Sequence, residues 1–128
     1  MIKEITGLHH ITSMASNADA NNVFFTKTLG LRRVKKTVNF DAPEVYHLYY
    51  GDEIGTPGSV MTYFPFAKMS PGQRGAGEVS ITEFAVPKDA LGFWKERLSA
   101  LGVSSLIESS FLGEKRLSFD GPDGDGFA

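Results

Sequence analysis

The chain has 128 residues, enough for one domain with a real core, and its 41% hydrophobic and 22% charged residues exclude a disordered or fibrous protein. A formal net charge of −2, with the thirteen Lys and Arg scattered apart from Arg32-Arg33 and Lys35-Lys36, excludes the dense basic stripe that a nucleic-acid surface needs. The lack of Cys excludes disulfides and thiolate metal sites. The first residues carry charge and lead into His9-His10 without an apolar signal region, and no run approaches the roughly 18 apolar residues of a membrane span. A cytoplasmic protein with no membrane partner is expected.

Residues Leu8–Ala15 alternate loosely and hold Ile11, Thr12 and Met14, which predicts a strand. Asn17 and Asp19 then offer N-cap oxygens, Val23, Phe24 and Leu29 recur at helical spacing, and Gly30 suits the left-handed residue that ends a helix. A helix over about 18–29 follows. Leu31–Phe40, Val45–Tyr50 and Ser59–Phe64 are rich in β-branched and aromatic residues and read as three strands. The short turns between them favour antiparallel neighbours. Residues 67–77, with three glycines and a proline, read as a linker.

The same order then recurs. Glu78–Val86 reads as a strand, and Asp89 as the cap of a helix whose face is Leu91, Trp94, Leu98 and Leu101, ended by Gly102. Val103–Leu112 and Glu114–Phe119 read as further strands. Gly7 and Gly77 start the two units 70 residues apart, and Gly30 and Gly102 end their helices 72 apart, which is the pattern of a duplication. The turn signal of residues 120–126 is followed only by Phe127 and Ala128, so the last strand is expected to be missing or barely begun. The expected fold class is α+β, with two βαβββ modules: module 1 at about 7–66, a linker at 67–77, and module 2 at about 78–128.

Three histidines are present, His9, His10 and His47. Adjacent strand residues point to opposite faces, so one of His9 and His10 can face a concave sheet. An oxygenase iron typically takes two His and one carboxylate on one face, so this strand offers one ligand. The aromatic alternation around His47 reads as a structural, half-buried strand. Tyr46, Tyr49, Tyr50 and Tyr63 are candidates for packing on a flat aromatic ring. Asp52-Glu53 reads as a solvated turn, and Glu83 alternates onto the face opposite Ser80 and Thr82, so neither is a candidate ligand.

Leu8-His9-His10-Ile11-Thr12, followed by Phe24-Phe25 and Thr28-Leu29-Gly30-Leu31, resembles the start of the vicinal oxygen chelate superfamily of glyoxalases, bleomycin-resistance proteins and extradiol dioxygenases. The runs Arg33-Val34-Lys35-Lys36-Thr37-Val38, Tyr46-His47-Leu48-Tyr49-Tyr50-Gly51-Asp52, Gly55-Thr56-Pro57-Gly58, Met61-Thr62 and Phe64-Pro65 narrow the resemblance to hydroquinone-type ring-cleaving dioxygenases. The resemblance implies Fe(II), or Mn(II), held by two His and a Glu, and a small aromatic substrate opened with O2. It places the N-terminal metal ligand on His10, and puts His9 and Thr12 among the catalytic residues near metal and substrate. It also implies a four-module chain, of which this sequence matches the N-terminal half, with the other two ligands in the C-terminal half. Aligning Gly77 with Gly7 sets Ser80 where His10 stands, and Ser80 cannot replace an imidazole. The chain is therefore expected to be the N-terminal portion of a dioxygenase that does not hold the metal tightly alone. Two alternatives accompany it: a homodimer that assembles a glyoxalase-like metal site at its interface, and a binding module without chemistry, similar to antibiotic-sequestering members.

Overall fold

In the computed structural model, which describes residues 4–128, the units Met1–Met69 and Ser70–Ala128 repeat one element order. The first contains β1 (His10–Ala15), α1 (Ala18–Val23) running into a π-helical turn (Phe24–Thr28), β2 (Arg32–Val38), β3 (Tyr46–Gly51) and β4 (Val60–Pro65). The second contains β5 (Ile81–Thr82), α2 (Leu91–Ala100), β6 (Ile107–Phe111), β7 (Glu114–Asp120) and β8 (Gly126–Phe127). The α+β reading with two βαβββ modules is what the chain folds into, and the last strand is two residues long.

Asn17 caps α1 as its sequence predicts: its backbone is extended and its Oδ1 accepts from the Ala20 N–H at 2.8 Å. The single helix expected over 18–29 is instead α-helical and then π-helical. The Thr26 hydroxyl donates to the Asn22 carbonyl at 2.6 Å, the carbonyl that a regular α-helix would give to the Thr26 N–H. The ladder widens there, and the Leu29 N–H donates to Phe24 five residues back, at 3.0 Å. Phe24, Phe25 and Thr28 are the buried residues of the widened turn. Gly30 and Gly102 take the left-handed conformation after their helices, with φ of 74° and 84°.

The strands of the first unit lie in the order β1-β4-β3-β2, with β1 parallel to β4 and the other neighbours antiparallel. The second unit repeats this as β5-β8-β7-β6, again with the first strand parallel to the last. The helix side of the first sheet is an aromatic core, in which Phe25 stacks on Tyr50 at 4.8 Å and lies 5.0 Å from Tyr63. Leu48, Met61 and Ala15 complete it.

Two expectations for the second helix fail. Its N-cap is Ala90 rather than Asp89, because a turn from Pro87, closed by the Ala90 N–H at 2.9 Å, delays the first helical residue to Leu91. Leu101 is the C-cap, half exposed at 50%, so the buried face rests on Leu98. The strand expected over 78–86 pairs only at Ile81–Thr82, since β8 offers two residues; beyond it Phe84 donates to the Ala128 carbonyl at 2.8 Å. Gly126 is required here, because a Cβ would meet the Ser80 carbonyl oxygen at 2.6 Å.

The β6–β7 hairpin turns on Leu112 and Gly113, both at positive φ, and Leu112 is 89% exposed at φ 50°. A branched residue is strained there, whereas Asn tolerates the left-handed region and Asn-Gly is the favoured pair for such a turn. Leu112→Asn is expected to raise stability by about 1 kcal/mol, read as a higher urea midpoint at unchanged slope. A lower midpoint would show that Leu112 makes a contact worth more than its backbone strain.

Candidate functional site

Residues paired across a ladder point to the same side, so the registers His10↔Val60, Thr12↔Thr62, Tyr49↔Thr62 and Lys35↔Tyr49 gather one face of the first sheet. That face carries His10, Thr12, Thr62, Tyr49 and Lys35. His47, two residues along β3 from Tyr49, shares it and stacks on Phe64 with ring centroids 4.0 Å apart. It lies opposite the face on which Phe25 packs.

His9 and His10 come together at the edge of this face. Their Nδ1 atoms are 3.0 Å apart and their rings meet edge to face at 88°, both exposed. One Nδ1 donates and the other accepts, which leaves both Nε2 atoms without that duty. A metal-binding imidazole ordinarily has its second nitrogen held in this way, so His10 Nε2 suits one coordination position with His9 behind it. Thr12 Oγ1 lies 2.7 Å from Thr62 Oγ1, forming a hydroxyl pair one strand apart on the same face. Among the described residues, no group of three or more His, Cys, Asp or Glu is placed to hold a metal ion. The residues present thus fit one position of a non-haem metal site, and the remaining ligands are not among them.

The four tyrosines separate. Tyr50 and Tyr63 are 0% exposed in the helix-side core and are closed to a ligand. Burial pushes the Tyr50 phenol up to about 12, against the opposing charge of Arg33. Tyr46 is exposed beneath Lys36, whose Nζ sits 3.7 Å from the ring centroid. Tyr49 alone lies half-buried on the His10 face.

His47 takes the half-buried strand position that the aromatic alternation suggests, and it shares the face of Tyr49. Its Nδ1 is 2.9 Å from the Tyr49 hydroxyl, and its Nε2 is sealed from solvent with no hydrogen-bond partner. Setting 45–50 against 59–64 in antiparallel register would have placed it beside Thr62 and Phe64. Burial first, then the nearby charges of His10 and Lys35, hold its imidazole below the ordinary value of 6.5. The unfolded chain therefore binds this proton at a higher pH than the folded one. The stability linked to His47 is complete above 6.5 and declines as pH falls from there toward the depressed folded value. Urea midpoints measured across that window should slope downward with acid, and the slope should flatten in His47→Phe. An equal slope in both proteins would assign it to other groups.

Asp52 behaves as the solvated turn its sequence suggests. Its carboxylate accepts from the Thr56 and Ile54 N–H groups at 2.9 and 3.2 Å, and the Thr56 side chain first, then these backbone bonds, lower it to about 2.

In the second unit the equivalent of His10 is Ile81, not Ser80. The ladder Phe119↔Phe127, Phe127↔Thr82 runs through buried aromatic residues, so Thr82, and Ser80 by alternation, point to the core side. Ile81 and Glu83 take the other face. Glu83 is ion-paired there with Arg116 at 2.6 Å, and the Arg116 guanidinium lies 4.1 Å from the Phe111 ring centroid.

No family model matches the chain. It is 50% identical over 114 residues, 89% of its length, to MhqE of Bacillus subtilis, which is named as a candidate ring-cleaving dioxygenase. It is 41% identical over 123 residues, 94% of its length, to the chlorohydroquinone/hydroquinone 1,2-dioxygenase of Sphingobium indicum. The chain spans 37% and 38% of the lengths of these relatives. A crystal structure of a candidate dioxygenase from Bacillus subtilis superimposes on 98% of the chain with a TM-score of 0.92 and 42% identity, and the match covers 40% of that structure. A glyoxalase family protein from Enterococcus faecalis shares the fold, with a TM-score of 0.73 at 21% identity, over 95% of this chain and 94% of the other.

Proposed function

This chain belongs to the vicinal oxygen chelate superfamily and stands close to its hydroquinone-type ring-cleaving dioxygenases, and we propose that it forms the N-terminal portion of such an enzyme. Its substrate is a hydroquinone- or catechol-type aromatic, and both atoms of O2 enter the ring-opened product. The metal is Fe(II), with Mn(II) as the alternative.

The observation that carries this reading is the placement of His10 beside His9, on the same sheet face as the Thr12–Thr62 hydroxyl pair. Bound iron in such a site brings a substrate oxygen and O2 close enough to react. His10 supplies one imidazole. His9, joined to His10 through its Nδ1, fixes the tautomer and direction of that ring. With its Nδ1 accepting from His10, His9 carries its hydrogen on Nε2, where it can donate to a substrate oxygen. The Thr12 hydroxyl, steered by Thr62, offers a hydrogen bond to an oxygen on that face.

The other ligands come from sequence outside this chain or from a second copy of it. The metal content separates these sources, since a shared site holds one metal per two chains. Oxygen uptake tests the reading as a whole. With Fe(II) supplied, the enzyme that contains this chain should consume O2 with hydroquinone or catechol, stop on chelation, and recover when Fe(II) is returned. An enzyme that consumes no O2 with any hydroquinone or catechol, substituted or not, overturns the reading.

A further inference from the structure

The imidazole of His47 poses a physical question. It is clasped between Phe64 and Tyr49, with centroids 4.0 and 4.2 Å from its own, and its one described hydrogen bond runs from Nδ1 to the Tyr49 hydroxyl. Nε2 is sealed without a partner. An unpaired buried N–H is costlier and rarer than an unpaired acceptor, so the favoured neutral tautomer leaves the bare lone pair on Nε2 and the hydrogen on Nδ1. His47 Nδ1–H then donates to the Tyr49 oxygen. The Tyr49 O–H, relieved of donating to His47, is available to donate elsewhere on that face.

We propose that Tyr49, held as a donor by His47, recognises the second oxygen of the aromatic substrate and makes the site selective for diphenols over monophenols. The inference rests on the reading of His10 as the ligand beside which the first oxygen is held. Tyr49 stands two strands over and two residues along from His10, about 12 Å between Cα atoms at ordinary sheet spacings. The Tyr49 hydroxyl is drawn along β3 toward His47, on the side away from His10, and the span left between it and the His10 ring is long enough for an aromatic ring with an oxygen at each end. Thr62 lies between them, bonded to Thr12 rather than to Tyr49, so it leaves the tyrosine hydroxyl uncommitted. Tyr49 touches substrate in this scheme, whereas His47 is a positioning residue.

The test uses the metal-free chain, so that it does not depend on iron. Dissociation constants for hydroquinone and for phenol are measured by ligand-observed NMR on wild type, Tyr49→Phe, His47→Leu and His47→Asn. Wild type should prefer hydroquinone by about five- to tenfold, the worth of one hydrogen bond. Tyr49→Phe should bring the ratio near one by weakening hydroquinone alone. His47→Leu should do the same, and His47→Asn, whose amide N–H can occupy the place of Nδ1–H, should restore part of the preference. Nitrogen-15 spectra of the ring should show the Nδ1–H tautomer. The proposal is overturned by a wild type without preference, by a ratio that survives Tyr49→Phe, by parallel weakening of both ligands, or by the Nε2–H tautomer. The metal reading is judged separately by Fe(II) titration of the enzyme that contains this chain: Tyr49→Phe should bind iron as wild type does. An enzyme containing this chain that binds no iron would remove the His10 assignment without altering the diphenol ratio.

Discussion

In the enzyme that contains this chain, His10→Ala is expected to weaken anaerobic Fe(II) binding by more than about a hundredfold, because even a residue behind a metal ligand is worth roughly ten- to a hundredfold. The stability of the fold should not change with it. His10 is exposed at the first position of β1, and its described side-chain contacts are to His9, itself exposed. No core packing is lost, so the urea midpoint of the variant should match wild type. His9→Ala should act in the intermediate range, about ten- to a hundredfold, since it removes the partner that orients the ring and leaves the coordinating nitrogen in place. Calorimetry with metal analysis provides both affinity and stoichiometry. If His10→Ala binds Fe(II) as wild type does, the metal lies elsewhere and the proposed chemistry loses its anchor.

The second large effect lies in the core of the first unit. Phe25→Ala should cost about 3–5 kcal/mol, the range for deleting a buried aromatic side chain. Phe25 is 1% exposed and meets Tyr50, Tyr63 and Phe24, so its loss leaves a cavity lined by rings that cannot close over it. Domains of this size have only about 5–15 kcal/mol in total, so such a loss leaves the first unit marginal. Phe25→Leu keeps most of the volume and should cost substantially less. Near-ultraviolet dichroism of Tyr50 and Tyr63 during urea unfolding reads the effect. A loss below 1 kcal/mol would mean that the π-helical turn relaxes to refill the space.

The fold was largely legible because its signals are local. Asn17 and Gly30 bracket the first helix, Gly102 ends the second, and the short turns among β2, β3 and β4 enforce antiparallel pairing. The π-helical turn is not legible in the periodicity, because it differs from an α-helix only in which carbonyl each N–H reaches, as where Leu29 donates to Phe24. Asp89 looked like a cap by composition, and lost the role to a turn at Pro87 that the residue pattern does not reveal.

The site was legible by half. His9, His10 and Thr12 sit within four residues, so alternation along one strand arranges them. His47, Tyr49 and Thr62 join them only through the ladders that pair Thr12 with Thr62, 50 positions along the chain, and Thr62 with Tyr49.

By itself the sequence determined the order of elements, the duplication and the strand that carries His10, because caps, turns and periodicity act over a few residues. The tertiary structure decided the parallel pairing of β1 with β4, the position of His47 behind Tyr49, and Ile81 rather than Ser80 as the counterpart of His10. The physical reason is register. A slip of one residue turns every side chain of a strand to the opposite face, and register is chosen by the packing of Phe25, Tyr50 and Tyr63 in one unit and of Phe119 and Phe127 in the other.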